Sequence, residues 1–335
     1  MGLGGLQAQY SVLFVDDSKD AFGNAELVAS ALDSLGITYT YFNAPDSAES
    51  PLDTYMAQFD LVIRHTSTDG VATWFWNGLD EDNARLKAYL DGGGSLWVIG
   101  HDFFFDRYGP APYTFAPGDF AYDYLGITTY AKQSFGDDGS LGLPIAVPDT
   151  AQPIAGLDTL GWAFPTLYWA DAVVPRSEAV PVMRMGDSTY VLADSVCGLW
   201  YARDNFQVLS FLFDLSLASD FAAIKGTVGS VVAFFEAQSS TRIEAAQLLA
   251  GPVRVYPNPG SGAGHLTFAL REAAVCEASL WDLQGRQVAL LMRPALLPAG
   301  DHAIDWQTAG LPAGMYLLRL GVGDQLLARP YVIVR

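Results

Sequence analysis

Cysteine is nearly absent: the 335-residue chain holds two, Cys197 and Cys276. Two thiols make no disulfide framework and offer no metal-ligand spacing. Histidine is almost as scarce, at four residues, with none between positions 102 and 264. Basic residues are outnumbered two to one, 18 Lys and Arg against 37 Asp and Glu, for a net charge of −19. Phosphate binding needs a basic face, so this balance excludes a nucleic-acid partner. No run of 18 apolar residues occurs either. Asp214 interrupts the best stretch, Val208–Ala218, which excludes a helical membrane span.

What is present is core material. Half of the residues are apolar and 16% are charged, so burial can offset chain entropy and disorder is excluded. The length suffices for two domains. Residues 251–335 carry seven Arg, no Lys and six Asp or Glu, a net of +1, whereas residues 1–250 carry 11 basic and 31 acidic residues, a net of −20. Such a shift marks two domains, 9–238 and 251–335. The stretch 239–250, entered through Gln238-Ser-Ser-Thr-Arg242 and left at Gly251-Pro252, reads as their linker.

The first domain alternates strands with helices. Ser11–Val15, Ile37–Phe42, Phe59–Ile63, Ser95–Ile99 and Gln207–Phe213 read as strands. Asn24–Leu35 carries apolar residues at helical spacing and stops at Gly36. A second helix, capped by Asp80, runs through Leu86 and Leu90 to Gly92, and a third covers Asp220–Glu236. This rhythm predicts a mostly parallel sheet with helices on both faces. The Gly-, Pro- and aromatic-rich stretch 103–205 reads as an insertion with antiparallel edge strands near Val180–Met185, Tyr190–Ala193 and Leu199–Ala202.

Open α/β sheets hold ligands beyond the carboxyl ends of their strands. There the sequence places Asp16 and Asp17, Arg64 and His65, and Gly100, His101 and Asp102, with Asp106 a turn further on. Asp16, Asp17, His101 and Asp102 are the candidate ligands of a divalent metal, with His65, His101 and Asp102 the candidate catalytic groups. Caps, turns and core packing explain the same residues without chemistry. No organic cofactor is expected. The aromatic residues from Trp74 to Trp169 suit either packing of the insertion onto the sheet, the favoured reading, or stacking on a ligand. Two functions follow: a non-catalytic binding or accessory module, or a metal-assisted hydrolase in which a metal-bound water is the nucleophile.

The opening stretch, through Asp16-Asp17, is similar to a response-regulator receiver domain, but Arg64-His65 follow the third strand where such domains carry the phosphoacceptor Asp. A first strand ending Val15-Asp-Asp17, then Asp60-Leu-Val-Ile63, Gly92-Gly-Gly-Ser-Leu-Trp-Val-Ile-Gly100 and Phe206-Gln-Val-Leu-Ser-Phe-Leu-Phe213, resembles the secreted, non-catalytic relatives of class I glutamine amidotransferases. That resemblance implies a flavodoxin-like domain. Enzymes of the superfamily place a nucleophilic Cys on the turn after the Gly-rich strand; here Gly100-His101-Asp102-Phe103 stands there, which argues against Cys–His chemistry.

The last 85 residues show short alternating strands at 8–12-residue spacing, the mark of a small all-β, Ig-like sandwich. Val255-Tyr-Pro-Asn-Pro259, Ala278-Ser-Leu-Trp-Asp-Leu-Gln-Gly-Arg286, Leu297-Pro-Ala-Gly300 and Leu311-Pro-Ala-Gly-Met-Tyr316 resemble the type A C-terminal sorting domain of type IX secretion substrates. The motif residues are Tyr256, Pro257, Asn258, Pro259, Gly285, Gly300, Gly314 and Tyr316. The resemblance implies recognition by the type IX machinery of Bacteroidetes-like bacteria and an extracellular or outer-membrane-surface address. Cleavage of the domain, or its exchange for a lipopolysaccharide anchor, would follow. Met1–Ala8 lacks the basic start and apolar length of an intact signal peptide, which leaves a processed remnant or a piece of a longer protein.

Overall fold

The structure is a computed structural model that describes residues 10–18, 24–66, 73–76, 82–203, 205–251, 253–258, 260–282, 286–323 and 325–334. The side chains of 240–247, 325, 326, 328 and 330 lie outside that description, as do Asp80, Pro259, Gly285 and Met1–Ala8. The chain divides into two compact units, Met1–Glu236 and Ala237–Arg335.

The first unit holds eleven strands in one sheet. They are β1 (Val12–Asp16), β2 (Tyr39–Asn43), β3 (Leu61–His65), β4 (Ser95–Ile99), β5 (Tyr113–Thr114) and β6 (Ile127–Gln133), then β7 (Ile145–Pro148), β8 (Asp171–Pro175), β9 (Val180–Gly186), β10 (Val196–Ala202) and β11 (Gln207–Phe211). The order is β2-β1-β3-β4-β11-β10-β8-β6-β5, with β9 also on β10 and β7 on β9. From β2 to β11 every pairing is parallel; beyond β11 all are antiparallel. The expected parallel sheet with an antiparallel insertion is therefore present. Every residue of β1, β3, β4 and β11 is buried, which is why these strands are continuous apolar runs rather than alternating ones.

Helices cover both faces. One face packs Val12, Phe14, Ile63 and Leu209 against helix Ala25–Leu35 and the long helix Phe221–Leu248. The other packs Leu13, Val15, Val62 and Val98 against helix Ala84–Asp91 and a layer of aromatic rings. Helix Ala25–Leu35 ends at Gly36, whose φ of 69° lets its N–H return to the Asp33 and Leu32 carbonyls.

Three expectations change. Asn83 caps helix Ala84–Asp91, its side chain accepting from the Leu86 N–H at 3.1 Å. Tyr190–Ala193 is a turn, with N–H to carbonyl bonds from Tyr190 to Asp187 and from Ala193 to Tyr190, each 3.0 Å; its buried Tyr190 and Leu192 mimic a strand's alternation. The helix expected over Asp220–Glu236 runs on to Leu248, through the stretch read as a linker. That stretch contains Ala, Leu, Gln and Glu but no Gly or Pro before Gly251, so nothing breaks the helix.

The second unit has two antiparallel sheets. One orders β12 (Arg254–Tyr256), β13 (Ala263–Leu270) and β16 (Gly300–Gln307). The other orders β15 (Gln287–Leu297), β14 (Ala274–Trp281), β17 (Gly314–Val322) and β18 (Gln325–Ile333). Alternate residues of both sheets, among them Leu266, Phe268, Cys276, Leu280, Leu318 and Leu320, share one core.

Candidate functional site

Register brings the strand exits of the first unit to one level. Asp16 pairs with His65, His65 with Ile99, and Ile99 with Phe211. The side chains that leave this line form three separate groups.

Asp16 is spent on its own turn: Oδ1 accepts the Ser18 N–H at 2.9 Å and its hydroxyl, and Oδ2 accepts the Tyr41 hydroxyl. Asp17 turns the other way. Its Oδ2 receives Arg64 Nε at 3.0 Å and Nη2 at 2.8 Å, and its Oδ1 receives the Trp74 N–H at 2.7 Å. Both ion-pair partners are buried. Burial pushes the Asp17 carboxyl up, and the Arg64 guanidinium pulls against it.

The second group is centred on Asp214, three residues beyond the end of β11. His65 Nε2 lies 2.9 Å from Asp214 Oδ1, and both side chains are wholly buried. The same oxygen accepts the Ser216 N–H at 2.8 Å. Burial pushes this carboxyl up, but the charge and hydrogen bond of His65, the charge of His101 and the Ser216 bond bring it down to about 2. His101 is buried with its ring 6.3 Å from that of Trp169.

Asp102 opens the third group. Its φ of 56° is left-handed, a costly state for a non-glycine residue. The turn is held by its N–H on the Trp169 carbonyl at 2.7 Å, while Oδ1 accepts Gln133 Nε2 at 2.8 Å. The same Gln133 nitrogen reaches Asp171 Oδ1 at 3.1 Å, and Asp171 Oδ2 accepts the Phe104 N–H at 2.9 Å. Burial raises Asp171 to about 8, with the Phe104 and Gln133 bonds pulling down and Asp102 pushing up. Asp102 is also raised, by burial foremost. Gly100 begins this turn because a Cβ there would meet Thr66 Oγ1 at 1.9 Å.

The candidate ligands Asp16, Asp17, His101 and Asp102 are thus drawn apart, each into its own contacts. Among the described residues no group of three or more His, Cys, Asp or Glu is placed to hold a metal ion. Of the candidate catalytic groups, His65 is hydrogen-bonded to Asp214 and His101 acts on it through its charge, whereas Asp102 faces Gln133. Cys197 is buried in β10, and burial pushes its thiol up, away from the thiolate. Phe75, Trp76, Phe103, Phe104, Phe115 and Phe120 form core, as favoured, whereas Phe164, Tyr168 and Trp169 remain exposed. Sequence reasoning missed Asp214, Asp171 and Gln133. Asp214 carried a signal, an acid directly after a buried apolar run; the other two become neighbours of Asp102 through the antiparallel insertion.

In the second unit, the motif residues close the sheets. Asn258 Oδ1 accepts the Val332 N–H at 2.9 Å. Gly260 donates to the Val332 carbonyl at 2.8 Å and accepts the Val334 N–H at 2.9 Å. A Cβ at Gly260 would meet the Tyr331 hydroxyl at 2.3 Å. Tyr316 is buried, its hydroxyl donating to the Pro312 carbonyl at 2.8 Å. Tyr256 stacks on His265 with ring centres 5.4 Å apart, and Gly300 takes φ 120° at its turn.

Residues 254–334 match the family model described as the secretion system C-terminal sorting domain. That match supports export by the type IX secretion system and a secreted or cell-surface address. No curated protein matches the chain. Among solved structures it is similar to a polyextremophilic β-galactosidase from the Antarctic haloarchaeon Halorubrum lacusprofundi, at 14% identity over 90% of this chain and 41% of that one, TM-score 0.38. It is similar to the exo-β-1,4-mannosidase Op5Man5 from Opitutaceae bacterium strain TAV5, at 14% identity over 71% and 34%, TM-score 0.36. Dimeric latent PorU from Porphyromonas gingivalis follows, at 14% identity over 58% and 16%, TM-score 0.22. The chain spans less than half of each of these proteins. At such scores the likeness carries neither a fold assignment nor an activity.

Proposed function

We infer that this chain is a bacterial export substrate whose first unit is a non-catalytic binding or accessory module. The parallel half of its sheet, ordered β2-β1-β3-β4-β11, supports the flavodoxin-like, amidotransferase-like reading of that unit. The observation that carries the non-catalytic reading is the turn after β4. At the place where amidotransferase-like enzymes put a nucleophile, Asp102 is committed to Gln133 and the Trp169 carbonyl, with Phe103 and Phe104 buried behind it. His65 Nε2 is committed to Asp214. The second unit, an Ig-like sandwich, serves as the address tag and is removed or exchanged for a lipopolysaccharide anchor at the surface.

Two measurements test this. In a host with the type IX machinery, and placed behind a cleavable signal peptide of that host, the full chain is expected in the medium or on the cell surface, and a chain lacking 254–334 in the periplasm. Equal export of both would overturn the address reading. Purified full chain, incubated with amide, ester and glycoside substrates with and without Zn²⁺ or Mn²⁺, is expected to release no product. Turnover abolished by Asp102→Asn would overturn the non-catalytic reading and restore the hydrolase.

A further inference from the structure

A cavity of about 250 Å³ in the first unit is walled by three separate segments: Glu49 and Ser50, Trp74 and Trp76, and Asn83 with Arg85 at the start of helix Ala84–Asp91. One buried network joins these walls. Arg64, held by Asp17, donates Nη1 to Ser50 Oγ at 2.9 Å. Asp17 holds the Trp74 N–H. Asn83 Nδ2 reaches both Ser50 Oγ and the Trp74 carbonyl at 2.9 Å. A buried ion pair adds little net stability, since desolvation offsets its attraction. Here the further hydrogen bonds of the Arg64–Asp17 pair end on residues of the cavity wall, so the pair fixes the shape of the cavity before anything enters it.

The groups facing the space have a particular chemistry. Ser50 Oγ accepts two hydrogen bonds, which leaves its own proton to donate. Arg85 Nη1 binds Glu49 Oε2 at 2.9 Å and the Ser50 carbonyl. Among the described residues that leaves Arg85 Nε and Nη2 as donors beside Glu49 Oε1 as an acceptor, both side chains reaching solvent at the rim. Donors and an acceptor on two paired rim side chains, next to the half-buried Trp74, match a ring that bears hydroxyls on its edge and C–H groups on its face. An anion would meet Glu49 and a segment of net charge −20. A wholly apolar ligand would strip water from the guanidinium and hydroxyl without replacing it.

We propose that this cavity binds one neutral sugar residue, its hydroxyls on Glu49, Ser50 and Arg85 and its C–H face on Trp74. The proposal rests on the reading of the first unit as a binding module and names its ligand class. The test is calorimetric titration of the full chain with D-glucose, D-galactose, D-mannose and their methyl glycosides, with D-glucuronate and inorganic phosphate as charged probes. At least one neutral sugar is expected to bind saturably. Arg85→Ala and Glu49→Gln, both at the exposed rim where folding is not at stake, are expected to weaken it about tenfold each. Phe164→Ala, on an exposed ring outside the cavity, is expected to leave it unchanged. Absence of binding by any neutral sugar, binding confined to the charged probes, or equal affinity in Arg85→Ala would each overturn the proposal. The methyl glycosides are followed by NMR over the same period. Their hydrolysis would overturn the non-catalytic reading, while the cavity assignment would still stand or fall on the rim variants.

Discussion

Asp171 is a side chain whose protonation is coupled to the fold. Unfolded, it ionises at the ordinary carboxyl value of 3.8; folded, it keeps its proton up to about 8. Between these limits the unfolded chain binds fewer protons, so this group makes stability fall as pH rises, by about 1.4 kcal/mol per unit. Asp214 acts in the opposite sense: its folded value of about 2 lies below the unfolded one, so its contribution is complete above the ordinary carboxyl range and lost as pH falls toward 2. Denaturant melts of the full chain from pH 4 to 8 are expected to show the Asp171 slope, and Asp171→Asn to flatten it; an unchanged slope would place the titration elsewhere. The sequence made Asp16, Asp17, His65 and His101 visible because they follow apolar runs. It hid what each one touches. Asp17 and His65 sit at neighbouring strand exits, yet one meets Arg64 and the other meets Asp214, 149 positions away, and no pattern of residue types in the chain encodes that choice.

Elements were legible where a single period governs them. The buried runs of β1, β3, β4 and β11 and the alternation of β13 and β14 stand where they read, because burial on two faces or on one imposes those patterns directly. The long helix ran past its expected end for the converse reason: Ser and Thr are poor stops without Gly or Pro behind them. Tyr190–Ala193 misled because a tight turn can also bury every second side chain. In the second unit the element to test is the clamp of the Asn258 segment on β18. Asn258→Ala removes the side-chain oxygen that accepts the Val332 N–H, and the loss is expected to be about 1 kcal/mol. Amide exchange at Val332 should accelerate while that at Leu318, in the middle of β17, stays slow. Equal protection at Val332 in both proteins would show that the Asn258 side chain does not clamp the strand.

At the scale of the molecule the uneven charge matters most. A segment of net −20 repels itself when folded, and added salt screens that repulsion. The thermal midpoint of the full chain is therefore expected to rise between low salt and about 0.15 M, the range over which the Debye length shortens to about 8 Å. A midpoint that stays constant or falls would mean that the acidic groups are offset locally, as Asp17 is by Arg64. The charge shift was legible in composition alone, and so was the address carried by residues 254–334, because a sorting signal is a run of contiguous motifs. A ligand site assembled from positions 49, 74 and 85 is contiguous nowhere. The pairing of Asn258 and Gly260 with Val332 has one more consequence. The opening residues of the tail find their partners near its far end, so a ribosome that stalls before Tyr331 releases a product whose address cannot close. A chain cut before Tyr331 therefore loses the partners of Asn258 and Gly260 together.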